Sequence, residues 1–121
     1  MSYSLKCHEN VLYLKDTVTN LGFEETPVQM LYHCNMGYPL LSEDAVLNIP
    51  SGKVTARDAH AQTGINTFNK VEEPQKDYQE MCFYHSFDER TPTVSLYNNK
   101  IKKGIEISFD LNELPFFTQW K

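Results

Sequence analysis

Polar and apolar positions along this chain alternate with a period of two in short stretches. Nowhere do they sustain the i, i+3, i+4 recurrence of an amphipathic helix. Tyr3 to His8 and Val11 to Val18 read as two strands joined at Glu9-Asn10. In the second, Val11, Tyr13 and Lys15 alternate with Leu12, Leu14 and Asp16, and a β-branched pair follows. Thr19-Asn20-Leu21-Gly22 is a turn signal, because Asn and Gly tolerate positive φ. Glu24 to Pro27 is a polar loop, and Val28 to Cys34 is the next predicted strand. After a turn at Gly37–Pro39, Ala45 to Ile49 forms a short strand that stops at Pro50-Ser51-Gly52, and Lys53 to Ala56 is expected to pair behind it.

From Arg57 to Asp77 neither period holds. Gly64, Pro74 and several Asn, Gln and Thr residues mark a long surface loop with room for one helical turn. Loops of this length are uncommon in compact domains and are usually functional or disordered. Alternation returns at Glu80 to Phe87 and at Thr93 to Tyr97, followed by a hairpin turn at Asn98-Asn99-Lys100. In the next strand, Lys102 to Phe109, the residues Ile105, Ile107 and Phe109 share one face, and Phe116 to Trp120 is the last strand. Eight or nine short strands separated by turn signals predict an all-β fold, an antiparallel β-sandwich, with residues 1–121 as one domain.

Composition narrows the functions open to such a domain. A length of 121 residues is enough to bury a core. The net charge is −5 and the 11 basic residues are scattered, with Lys100, Lys102 and Lys103 the only local group. A nucleic-acid binder needs a basic face to displace counterions, so that class is set aside. No run reaches the roughly 18 apolar residues of a membrane span. The N-terminal residues lack the basic-then-apolar layout of a signal peptide. Cys7, Cys34 and Cys82 are odd in number and at no framework spacing, which predicts reduced thiols in a cytoplasmic protein. Seven Tyr, seven Phe and one Trp suit strands, and equally suit stacking against sugar rings.

The stretch that carries candidate chemistry is Leu31-Tyr32-His33-Cys34-Asn35-Met36-Gly37-Tyr38-Pro39-Leu40-Leu41. It sets an imidazole within an apolar and aromatic run, and Gly and Pro then turn the backbone. An unperturbed imidazole titrates near pH 6.5 (roughly), so His33 is of the type that donates or accepts protons at neutral pH. Such a residue suits the wall of a polar-ligand pocket. A strand histidine bonded to a backbone carbonyl reads the same way in sequence.

Three segments in order, Val18–Gly22, the Leu31–Leu41 stretch and Leu114-Pro115-Phe116-Phe117-Thr118-Gln119-Trp120-Lys121, resemble the aldose 1-epimerase (galactose mutarotase-like) family. The similarity is greatest to a poorly characterised bacterial branch with a His-x-Asn-x-Gly-Tyr-Pro-Leu-Leu signature, and it extends over essentially the whole chain. The resemblance implies a large twisted antiparallel sandwich that binds one free sugar on a concave face and interconverts its anomers. A general acid protonates the ring oxygen while a general base takes the proton of the C1 hydroxyl. The ring opens, the C1–C2 bond rotates, and reclosure gives the other anomer. No metal, nucleotide or other cofactor is implied.

By the same resemblance, His33 matches the position of the acid histidine. Glu80, in Gln79-Glu80-Met81-Cys82-Phe83, falls where the family places an acidic residue that holds sugar hydroxyls. A carboxylate suits that task because it accepts two hydroxyl hydrogen bonds in fixed geometry. Arg57 and Asp58, heading the long loop, are candidates for the pocket rim, with a surface ion pair as the plain alternative. Asn35 and Tyr38 complete the candidate binding set, for hydroxyl bonding and ring stacking.

The match is incomplete. The family's general base is a Glu beyond the Pro-Phe-Phe segment, its domain is more than twice as long, and a second active-site His precedes the part matched here. His60 and His85 do not occupy that second position. The expectation is a middle-to-C-terminal portion of such a domain, whether naturally shortened or cut. Losing one of two proton-transfer groups costs about 10²–10⁴ in rate, so little or no mutarotase activity is expected from this chain alone. A sandwich cut within a sheet leaves open strand edges, which predicts a homo-oligomer that completes sheets between chains.

Other chemistries are weaker. Cys7-His8, His33-Cys34 and Cys82 with His85 supply metal-type ligands, but adjacent residues on a strand point to opposite faces and no C-x-x-C is present. Nothing marks a thiol as activated for nucleophilic work. The competing function is a non-catalytic carbohydrate-binding module, with Tyr32, Tyr38 or Trp120 stacking on the sugar and Glu80 and Asn35 bonding its hydroxyls. For Phe83, Phe109 and Phe117, core packing is the plainer reading.

Overall fold

Backbone ladders form where the alternation is regular, and a computed structural model describes them for residues 1–121. The elements are β1 (Ser2–Leu5), β2 (Leu12–Lys15), β3 (Ala45–Asn48), β4 (Lys53–Ala56), α1 (Ala59–Thr63), β5 (Cys82–Ser86), β6 (Thr93–Asn98), β7 (Lys103–Ser108) and β8 (Phe117–Trp120). Every strand pair is antiparallel. The chain is all-β and sandwich-like, as the turn spacing predicts, with one short helix. It divides into two units, Met1–His33 and Cys34–Lys121.

The first unit is a β1–β2 hairpin and the segment after it. Its register sets Tyr3 opposite Leu14 and Leu5 opposite Leu12, so these four residues form one apolar face. No residue of this unit is buried, and only Asp16 and Tyr32 are half-buried. The Asp16 carboxylate accepts from the Tyr32 hydroxyl at 2.6 Å and lies 3.3 Å from the N-terminal ammonium. The strand expected at Val28 to Cys34 does not form. That segment is apolar enough for a strand, but no β-ladder forms along it, and alternation without a ladder specifies nothing.

The second unit holds two three-stranded sheets, in the orders β3-β6-β7 and β4-β5-β8. The switch between them occurs at Pro50-Ser51-Gly52. There the Ser51 amide donates to the Ile49 carbonyl at 2.8 Å and the Gly52 amide to the Ser86 carbonyl at 2.9 Å. Lys53 to Ala56 therefore pairs with β5 rather than with β3, against the sequence expectation. A Cβ at Gly52 would approach the Asp88 carboxylate oxygens to 2.7 Å, so a larger residue there displaces the exposed Asp88 side chain.

The central strands build the core. In β6, Val94, Leu96 and Asn98 are buried in alternation. In β5, Phe83 and His85 are buried on one face, with Cys82 also enclosed. Three rings that belong to different strand ends close the sandwich. Phe109 stacks on Phe117 with centroids 5.7 Å apart, and Phe87 meets both edge-on at 5.8 and 5.7 Å.

Two buried polar side chains fasten loops to this core. The Asn98 side chain is 0% exposed and makes five hydrogen bonds. Its Nδ2 donates to the carbonyls of Pro39 and Leu40 at 3.0 and 3.1 Å and to Ser42 Oγ at 2.8 Å. Its Oδ1 accepts from the amides of Lys100 and Ile101 at 3.0 and 3.2 Å. The turn closing Gly37–Leu41, which contains a cis Tyr38–Pro39 bond, is thus held against the β6–β7 hairpin. His85, 6% exposed, joins Ser51 Oγ at Nδ1 (2.7 Å) and Gln119 Oε1 at Nε2 (3.1 Å). Gln119 passes the chain on, its Nε2 donating to the Phe68 carbonyl at 2.7 Å. The amide oxygen accepts, so Nε2 carries the proton and Nδ1 accepts from the Ser51 hydroxyl. Phe68 and Phe117 pack edge-on against the ring.

Asn98→Ala removes the donor to the Pro39 and Leu40 carbonyls and the acceptor of the Lys100 and Ile101 amides. A loss of about 2–4 kcal/mol is expected, read as a lower urea midpoint with an unchanged m-value. His85 generates a pH dependence. Burial pushes its pKa below the ordinary histidine value, against a weaker opposing pull from the Gln119 hydrogen bond. The unfolded chain then takes up this proton first. The stability linked to His85 is full above its unfolded pKa and is lost as pH falls from there through the folded value. Thermal melts between pH 7.5 and 5.5 should show that decline in the wild type and a flatter profile in His85→Gln.

Candidate functional site

The candidate site in the second unit is built from the end of β4 and the approach to β5. Beyond β4 the ladder continues for one step, the Arg57 amide donating to the Cys82 carbonyl at 2.9 Å. Ala56 lies opposite Phe83, which faces the core, so alternation carries Arg57 to the outer face of the sheet. Glu80, Cys82 and Tyr84 follow on that same face by the same count. Asp58 ends the extended stretch and caps α1, its Oδ1 accepting from the Ala61 amide at 2.9 Å.

These constraints assemble a charged cluster. Arg57 Nε donates to Asp58 Oδ2 at 2.9 Å, and Arg57 Nη1 to Glu80 Oε1 at 3.2 Å. The Asp58 bond, with that of Glu80 behind it, raises the guanidinium pKa above its ordinary value. The Ala61 amide and then Arg57 hold the Asp58 carboxyl below the usual carboxylate range. All three side chains are solvent-accessible, so the pairs orient one another more than they stabilise the fold. Arg57, Asp58, Glu80, His60 and Gln79 line a cleft of about 390 Å³.

A second cleft, of about 480 Å³, shares His60 and Gln79 with the first. On its far side the Lys121 ammonium donates to the Thr67 carbonyl and to Glu72 Oε1, both at 3.0 Å. The Lys121 bond is the first cause that lowers the Glu72 pKa. His60 stands between the clefts, its Nε2 3.3 Å from the Gln79 carbonyl oxygen.

The fold brings together Arg57, Asp58 and Glu80 from the sequence-derived set, and leaves Asn35 and Tyr38 elsewhere in the second unit. Both precede or enter the turn held by Asn98, both are exposed, and neither lines the two clefts. His33 belongs to the first unit, where it is exposed and outside any strand. Two residues passed over by the sequence reading lie at or near the cluster. His60 joins the clefts, and Tyr84 is 47% exposed on the outer face of β5. Trp120, 57% exposed, pairs with Cys82 across the β5–β8 ladder and so sits diagonally from Tyr84, at a spacing aromatic side chains can span. Alternation from Glu80 through Cys82 to Tyr84 was the signal for Tyr84. No local pattern marked His60.

No three His, Cys, Asp or Glu side chains gather in a way that holds a metal ion. Cys7 and Cys34 are exposed, and Cys82 is buried. No helix is long and apolar enough to cross a membrane.

Neither the curated proteins nor the solved structures provide a match to this chain. One family model does, over residues 1–121, and it is described as a domain of unknown function (DUF4432). The match covers both units, the Leu31–Leu41 stretch and the Arg57–Glu80 cluster alike, and the chain belongs to this family.

Proposed function

We propose that this protein binds a free aldose and interconverts its anomers by acid/base proton transfer. The observation that carries the reading is the Arg57–Asp58–Glu80 cluster in its 390 Å³ cleft, where a guanidinium lies between two carboxylates. A sugar presents hydroxyls that both donate and accept. A surface offering fixed acceptors beside a fixed donor fork suits it better than an apolar pocket does. The galactose mutarotase-like character of the family supports the same reading. Glu80 and Asp58 accept sugar hydroxyls, and Arg57 orients both carboxylates. The role of His33 as the acid rests on the Leu31–Leu41 motif.

A non-catalytic carbohydrate-binding function is the second reading. It is favoured by Tyr84 and Trp120, 47% and 57% exposed on the outer face that also carries Arg57. Aromatic side chains held by a rigid sheet offer a floor for the apolar face of a pyranose.

Polarimetry of freshly dissolved α-D-glucose or α-D-galactose separates the two. At most a weak acceleration over buffer is expected for the enzyme, and His33→Ala should remove it at little cost in melting temperature. A rate equal to buffer, together with a sugar-dependent change in Tyr and Trp fluorescence, would leave binding alone.

We also propose that copies associate through open strand edges. The two-stranded β1–β2 sheet exposes an apolar face of Tyr3, Leu5, Leu12 and Leu14, and an isolated hairpin of this kind is marginal without cover. Light scattering after size exclusion should return at least twice the chain mass. A monodisperse monomer removes the proposal.

A further inference from the structure

Among the strands at the margins of the two sheets in the second unit, β7 has the least protected edge. β3 is bridged at Val46 by Lys70. β4 and β8 are only four residues long, β4 lying between Pro50-Ser51-Gly52 and α1, and β8 following Pro115-Phe116. β7 runs for six residues without proline and has a single ladder, to β6. Shortness, proline and a covering segment are the devices that keep a strand edge from pairing with another chain, and β7 has none of the three. Its inner face is open as well. Ile105 and Ile107 lie opposite Leu96 and Val94, which are buried, so all four point toward the core. Ile105 is nonetheless 39% exposed, and no strand lies beyond β7 to cover it.

We propose that β7 is the edge at which two copies of this chain meet, pairing antiparallel with its own counterpart. The inference rests on the proposed association of copies and names the edge that carries it. A twofold axis normal to the sheet joins the two as β3-β6-β7-β7-β6-β3, with the inner faces on the same side. Faces match only in registers centred on a residue, because side chains alternate. Of the two such registers that pair most of β7, the one centred on Glu106 sets that carboxylate directly against its own copy, and like charges so placed are destabilising. The register centred on Ile105 sets Ile105 against Ile105 of the second copy, an apolar pair on the open inner face. Ile107 then meets the aliphatic stem of Lys103 of the second copy, whose ammonium reaches solvent at the strand end. Charge selects the direction and the partner. Lys102 and Lys103 stand at the start of β7 and Glu106 lies past its middle. Antiparallel pairing brings Glu106 of the second copy opposite Gly104, beside these lysines, whereas parallel pairing aligns lysine with lysine.

Light scattering after size exclusion on the wild type, Ile105→Lys, Glu106→Lys and Leu12→Lys reads the interface, with melting temperatures taken for each. The wild type and Leu12→Lys should return twice the chain mass. Ile105→Lys buries an unpaired charge at the centre of the pairing and Glu106→Lys leaves only like charges along it, so both should fall to the mass of one chain. A second measurement fixes the register. With Cys7 and Cys34 replaced by Ser, Ile105→Cys should form a disulfide-linked dimer on mild oxidation, since directly opposed residues lie within disulfide reach. Glu106→Cys should not, because its counterpart sits two positions off. A mass that falls with Leu12→Lys and stays double in both β7 variants places the association at the β1–β2 hairpin. That outcome overturns the β7 edge and leaves the association of copies standing. A monomeric wild type overturns both. Cross-linking through Glu106→Cys and not Ile105→Cys overturns the register and the charge argument behind it. Should Ile105→Lys melt lower, Glu106→Lys decides, because Glu106 is exposed and its replacement disturbs no core contact.

Discussion

The second unit depends on one buried amide. Asn98 ends β6, the central strand of its sheet, and spends all its hydrogen-bonding capacity on backbone and hydroxyl groups of two separate turns. Buried polar groups are costly unless every donor and acceptor is matched, so this side chain allows the Pro39–Leu40 backbone only one position. The Gly-Tyr-Pro-Leu-Leu part of the central stretch is consequently a structural feature as well as a sequence signature. Its two leucines and its proline lead the chain from the exposed Asn35 and Tyr38 into β3.

His85 plays a comparable part for the other sheet. It ties Ser51, at the switch between sheets, to Gln119 on β8, and through Gln119 to the loop at Phe68. That loop leads into the wall of the larger cleft, where Thr67 receives the Lys121 ammonium. Polar fastening at Ser51, Phe68 and Gln119 thus sets the geometry in which the clefts lie. The exposed charged cluster stands on that frame and contributes little to it. Arg57, Asp58 and Glu80 are accessible, and exposed ion pairs are worth little in stability. Their fixed arrangement comes from the β4–β5 ladder and the cap of α1.

How much of this was legible varied with the range of the interaction. The strands at Thr93–Asn98 and Lys103–Ser108 were legible because a hairpin turn joins two alternating segments, and pairing there is local. Arg57 and Asp58 were legible as neighbours. Glu80 joins them across 23 positions, and only the β4–β5 register brings it there. Lys53–Ala56 was read as a strand and given the wrong partner, since alternation reports a face and not a neighbour. Val28 to Cys34 misled for the same reason. Asn98 was read as a turn residue, yet the groups its Nδ2 binds lie 56 to 59 residues away.

The sequence by itself determined the all-β class, the positions of most strands and the turns between them, because period-two patterning and turn chemistry are encoded within a few residues. It also carried the Leu31–Leu41 stretch on which the family resemblance rests. Only the tertiary structure decided which strands pair, which polar side chains are buried, and that His60, Arg57 and Glu80 border one cleft. Those outcomes depend on register and burial. Both are settled by residues far apart in the chain, and no local pattern records them.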